Sequence, residues 1–186
     1  MHTVFMCISL GFAVPITGMG QELLGPPYTL TPSDVRVPDG VEMGQFQRTI
    51  RPFGDWTLIC DDYLVDQRTV CNVRQVLTDR NGTLAFSWAL ALTSEGEPYM
   101  LLRTAPVADA EGFVSIAFED RTSPIEVYFD GCNQVVCVGM LPVGPIMRSE
   151  IANNASPTIT YPTRNGSEIT VTAKLAGLAS ALEAIE

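Results

Sequence analysis

The chain reads as all-β, an antiparallel sandwich or barrel that ends in a short C-terminal helix. Two observations predict this. Residues 83–93 alternate strictly, with Leu84, Phe86, Trp88, Leu90 and Leu92 on one face and Ala85, Ser87, Ala89 and Ala91 on the other. A period of two marks a strand, and its large face must be buried. Short apolar runs of the same kind then recur between residues 53 and 173, broken by Asn81-Gly82, Glu95-Gly96-Glu97-Pro98, Asp130-Gly131 and Asn165-Gly166. Short strands at regular spacing with such turns between them build sandwiches and barrels.

The first element is not part of that pattern. Residues 4–14 form an uncharged, mostly apolar run followed by Pro15. A membrane-spanning helix needs about 20 such residues, whereas the apolar core of a secretory signal is shorter. Gly18 and Gly20 place small residues where a signal peptidase requires them, which predicts a signal over residues 1–20 and a mature chain beginning at Gln21, with no stable membrane span left behind. Residues 21–52 read as a linker, because Pro26, Pro27, Pro32, Pro38 and Pro52 interrupt regular structure, with Gly25, Gly40 and Gly44 among them.

Residues 53–186 form the domain. Strands are expected at 56–60, 71–77, 83–93, 99–104, 113–118, 125–129, 135–141, 157–161 and 167–173. The strand at 83–93 is central, since its small face also suits a buried position. Residues 145–153 read as a helix, with Pro145 suited to a first turn. Leu175, Leu178, Leu182 and Ile185 fall on one face of the C-terminal helix, which would cap an end or edge of the sandwich.

Composition removes several kinds of chemistry. Eleven Lys plus Arg against 21 Asp plus Glu give a net charge of −10, and Lys174 is the single lysine. Nucleic-acid binding needs clustered cations, so it is not expected. The one histidine is His2, within the predicted signal, so the mature chain has no imidazole for a triad or a His-ligated metal. A G-x-S-x-G elbow is also missing. Signal removal also takes Cys7 and leaves four cysteines, an even number suited to an oxidising compartment.

Four cysteines allow three pairings. The nearest-neighbour set, Cys60 with Cys71 and Cys132 with Cys137, is favoured: the first two would face each other across a hairpin mouth, and the second two enclose only residues 133–136. A four-thiolate zinc site is the competing reading, but the ten residues between Cys60 and Cys71 exceed the two to four that separate paired ligands in such sites. Asp61, Asp62 and Asp66 in the first clamped loop, and Glu119-Asp120 at a strand end, are the carboxylates open to Ca²⁺ binding or glycoside hydrolysis. Acidic residues in exposed turns are the simpler reading, so no metal, cofactor or catalytic residue is expected. Trp56 and Trp88 are assigned to the core.

Phe53-Gly54-Asp55-Trp56, Cys60, Cys71 with Arg74-Gln75 soon after, the Cys132/Cys137 pair and Ala173-Lys174-Leu175-Ala176-Gly177-Leu178 resemble, in order and spacing, the invasion-associated locus B family of bacteria. The resemblance spans roughly residues 53–185. It implies an exported, disulfide-bonded, immunoglobulin-like β-sandwich, periplasmic or secreted, and supplies no catalytic motif. The expected function is therefore binding of a protein or cell-envelope component, with a contribution to host-cell invasion implied by the family. An envelope-glycan enzyme using Asp61, Asp62 and Glu119, and a periplasmic ligand carrier with an apolar cavity, are the alternatives.

Overall fold

In the computed structural model, which describes residues 28–30, 39–42, 44–93 and 95–185, strands dominate. In chain order they are β1 (Tyr28–Leu30), β2 (Phe46–Phe53), β3 (Trp56–Tyr63), β4 (Arg68–Asp79), β5 (Leu84–Leu92), β6 (Pro98–Thr104), β7 (Phe113–Ala117), β8 (Ile125–Tyr128), β9 (Gly131–Cys132) and β10 (Cys137–Pro142). Helix α1 (Pro145–Ala152), strands β11 (Thr158–Pro162) and β12 (Glu168–Thr172), and helix α2 (Leu178–Glu183) complete the chain.

The strands form two antiparallel sheets. The larger runs β2-β3-β4-β5-β6-β10-β9, and the smaller runs β12-β11-β7-β8. β3 pairs with the first half of β4, and β1 pairs with its last three residues, Leu77 to Asp79. The strictly alternating segment is β5, inside the larger sheet between β4 and β6. Phe86 and Trp88 are wholly buried, and Ala85, Ser87 and Ala89 are buried as well, as a central strand requires. Leu92 is 62% exposed, so burial ends before the alternation does.

Three elements differ from the sequence expectation. The stretch read as a linker contains two strands, β1 and β2, and β2 pairs along its whole length with β3. Its sequence, FQRTIRPF, hides the strand because it forms the edge, where polar side chains and a terminal proline are tolerated. β3 and β4 extend beyond Cys60 and Cys71, so these cysteines face each other within a ladder and do not mark strand ends. The C-terminal helix is shorter than its apolar spacing suggests. Leu178 and Ala181 are its buried residues, Leu175 is buried ahead of it, and Ile185 is exposed. The predicted signal, its cleavage point between Gly20 and Gln21, and Cys7 lie outside the described residues.

The core lies between the sheets. Trp56, Leu58, Phe86, Trp88, Met100 and Leu102 from the larger sheet meet Val114, Ile116, Ile159, Tyr161 and Val171 from the smaller, with Met147, Ile151, Leu178 and Ala181 contributed by the helices. Tyr161 joins the two layers by donating its hydroxyl to the Ala85 carbonyl at 2.5 Å.

A polar hub sits inside this apolar core. Gln75 on β4 is 1% exposed. Its Nε2 donates to the Lys174 carbonyl at 2.9 Å, while its Oε1 accepts from Trp88 Nε1 at 3.2 Å and from the Lys174 amide at 3.3 Å. Trp56 Nε1 donates to the same carbonyl at 2.8 Å, and the two indoles stack with centroids 5.7 Å apart. Outside, Lys174 Nζ lies 3.1 Å from Asp55 Oδ2. Gly177, at φ +93°, approaches the Phe53 carbonyl so closely that a Cβ there would lie 2.1 Å from its oxygen. The motifs at the two ends of the domain, residues 53–56 and 173–178, therefore meet across the sheet.

Removing Gln75 leaves the buried Trp88 N–H and the part-buried Lys174 N–H without their partner, and a buried orphan costs about 1–3 kcal/mol. Gln75→Leu is expected to lower unfolding free energy by roughly 2–4 kcal/mol, read as a lower urea midpoint at unchanged slope. Burial pushes the Tyr161 phenol up from 10.0 to about 12. Between these values the unfolded chain releases a proton that the folded chain retains, so stability falls as pH rises through that window. Tyr161→Phe should flatten the fall by roughly 2 kcal/mol in denaturation series taken across it.

Candidate functional site: a clamped hairpin

The β3–β4 hairpin carries most of the chemistry singled out in the sequence. Its ladder pairs Cys60 with Cys71, Asp61 with Val70, Asp62 with Thr69 and Tyr63 with Arg68. The Cys60 and Cys71 sulfurs are 2.07 Å apart, with Cα atoms separated by 4.0 Å. Because the two residues face each other directly across the strands, the bond crosses the ladder and limits shear between them.

The acidic residues of this region form no cluster. Asp61 receives a bidentate pair from Arg48 on β2, Nε to Oδ1 at 2.5 Å and Nη2 to Oδ2 at 2.6 Å, with both side chains largely buried. That hydrogen bond holds the Arg48 guanidinium above its ordinary pKa against the opposing effect of burial. Asp62 accepts the Thr69 hydroxyl at 2.6 Å. Asp66 lies apart in the exposed tip, and no group of three metal-binding side chains occurs among the described residues. Asp61 and Asp62 lie on a strand, whereas the sequence reading put them in a loop. Glu119 and Asp120 lie in the turn after β7, both exposed.

The sequence reading missed the hairpin tip. Leu64 is 56% exposed and Val65 72%, and Val70, opposite Asp61 on the ladder, is 45% exposed. Gln67 takes a left-handed conformation, φ +49°, which closes the turn. The Arg68 guanidinium lies 4.6 Å from the Tyr63 ring centroid, and the Leu64 amide donates to the Gln45 carbonyl at 3.0 Å. Two adjacent apolar residues between Asp62 and Asp66 were the available signal. They form an apolar tip with acidic flanks, held rigid by a cross-strand sulfur pair and an ion pair.

The second cysteine pair closes a smaller turn. Cys132 and Cys137 face each other on β9 and β10, with sulfurs 1.98 Å apart. Asn133 Oδ1 accepts from the Val135 and Val136 amides, and Val135 is left 74% exposed. Trp56 and Trp88 are fully buried, as assigned. With Phe86 and Tyr161 they fill the space between the sheets that an internal carrier cavity would need.

Two facing antiparallel sheets, with a cysteine pair across each of two hairpins, define a β-sandwich clamped at its turns. The family model for Invasion associated locus B (IalB) protein matches residues 56–186, and the chain belongs to that family. Among solved structures, the chain is similar to the crystal structure of invasion associated protein B from Bartonella henselae. The TM-score is 0.58 and the identity 14%, over 73% of this chain and 94% of that one. At that identity the likeness concerns the fold. No curated protein matches the sequence.

On chain-entropy grounds the first bridge contributes roughly 3 kcal/mol and the second about 2. The Cys60→Ala/Cys71→Ala variant should lose about 3 kcal/mol of unfolding free energy in urea. The same loss is expected on reduction of that bridge alone, followed by peptide mapping.

Proposed function

We propose that this family member is exported, cleaved after Gly20, and acts in the periplasm or outside the cell as a non-enzymatic binding protein. Its partner is a protein or cell-envelope component, and the clamped β3–β4 hairpin is the contact surface. The observation that carries this reading is the exposed apolar tip, Leu64 and Val65, on a hairpin immobilised by the Cys60–Cys71 pair and the Arg48–Asp61 ion pair. A preorganised apolar projection loses little entropy on docking, which favours affinity. Export is supported by the two cysteine pairs at bonding distance, because structural disulfides persist in oxidising compartments. No helix among the described residues is long and apolar enough to cross a membrane. The names of the family and of the Bartonella protein are what support a part in host-cell invasion.

The test is photo-crosslinking from position 66, in the same exposed tip, in the native envelope, with intact mass taken on the purified chain. A mature chain starting at Gln21 and a discrete crosslinked partner are expected, and Leu64→Asp/Val65→Asp should reduce capture at least tenfold without lowering thermal stability. Retention of residues 1–20 overturns export. Capture that the double substitution leaves unchanged overturns the hairpin as the contact.

A further inference from the structure

An open surface cavity of about 350 Å³ lies at the far end of the sandwich from the hairpin tip, lined by the buried Thr163, the half-buried Ile169 and the exposed Val107, Arg164, Asn165 and Ser167. Its position follows from the ladder: β4 runs away from the tip to Leu77, Leu77 faces Phe86, and Phe86 faces Thr104, which leads into the 105–109 loop. That loop is pinned to the β11–β12 turn. Ala108 bridges Thr163, the Arg164 amide donates to the Val107 carbonyl at 3.0 Å, and the Asp109 amide donates to the Pro162 carbonyl at 2.9 Å. The walls are thus formed before any ligand arrives, and the volume falls in the range of small-molecule sites.

The lining has a definite chemical character. Val107 and Ile169 supply apolar surface, and none of the lining residues is acidic. Arg164 supplies the positive charge. Its Nη2 donates to the carbonyl of Pro106, the residue before Val107. Among the described residues Arg164 has no carboxylate partner, in a chain of net charge −10. Asn165 directs its Oδ1 back into the turn, accepting from the Thr163 hydroxyl and from the Ser167 amide and hydroxyl. Its Nδ2 amide adds a second N–H donor group to the lining residues. A guanidinium and an amide donor above an apolar floor match a carboxylate that carries a short apolar group.

We propose that this cavity binds such a carboxylate, either as a free branched-chain acid or as the C-terminal residue of a peptide ending in valine. The site does not depend on the hairpin or on its partner.

The test is an amide-resolved NMR titration of the full mature chain with 3-methylbutanoate, with acetyl-Gly-Val, and with acetyl-Gly-Val amide. Saturable shifts at Val107, Asn165, Ser167 and Ile169 are expected with a carboxylate probe. Binding of the free acid identifies a small-acid site, and binding of the peptide acid alone identifies a C-terminus reader. The amide should bind at least tenfold more weakly than its acid. Arg164→Gln, and separately Val107→Glu, should weaken binding at least tenfold while the rest of the spectrum stays native. Absence of shifts with both acids, equal binding of acid and amide, or undiminished binding by Arg164→Gln overturns the proposal.

Discussion

The fold depends on a buried side-chain amide. Gln75 reaches from the middle of the larger sheet to the backbone of Lys174, almost a hundred residues later, and holds both its N–H and its C=O. The same carbonyl takes the Trp56 indole, and the same amide oxygen takes the Trp88 indole. An unpaired amide at this depth would cost several kcal/mol, so the network is favourable only when complete. It is complete: among the described residues no buried side-chain nitrogen or oxygen lacks a partner. The C-terminal segment is consequently part of the core, and α2 docks where Gly177 permits contact with the Phe53 carbonyl. The residues that carry the family resemblance at both ends of the domain are explained by this assembly, and they build the scaffold.

Around that core the molecule divides its rigidity in an informative way. Hydrophobic burial and the Gln75 network hold the layers together, while the sulfur pairs act locally, across ladders already formed by β3–β4 and β9–β10. Clamps of this kind contribute less than long-range bridges, because they close short loops. Their consequence is geometric. Leu64 and Val65 project from a hairpin whose shear the Cys60–Cys71 bond limits, and Arg48 ties that hairpin to the edge strand β2. The ion pair is largely buried and bidentate, the geometry in which an arginine–carboxylate contact is most directional. The other end of the sandwich is organised by backbone pairing between the 105–109 loop and the β11–β12 turn, with a single cation at its mouth. The two ends therefore present different surfaces, an apolar tip with acidic flanks and an open cavity whose lining includes one arginine.

The sequence by itself determined the all-β class, the central strand and the nearest-neighbour logic of the cysteines, because these rest on local regularities: a period of two, turn residues and short spacing. It also placed the one histidine at position 2, far in sequence from the domain. β2 escaped because an edge strand is polar and proline-tolerant, and so imitates a linker. The acidic residues near Cys60 were legible as a group but not as partners. Arg48 is thirteen residues from Asp61 and meets it only through the β2–β3 register. The role of Gln75, the exposure of Leu64 and Val65, and the joining of Val107 to Arg164 were decided by tertiary structure alone. Each depends on which residues face one another across strands or between layers, and one residue of register moves a side chain to the opposite face.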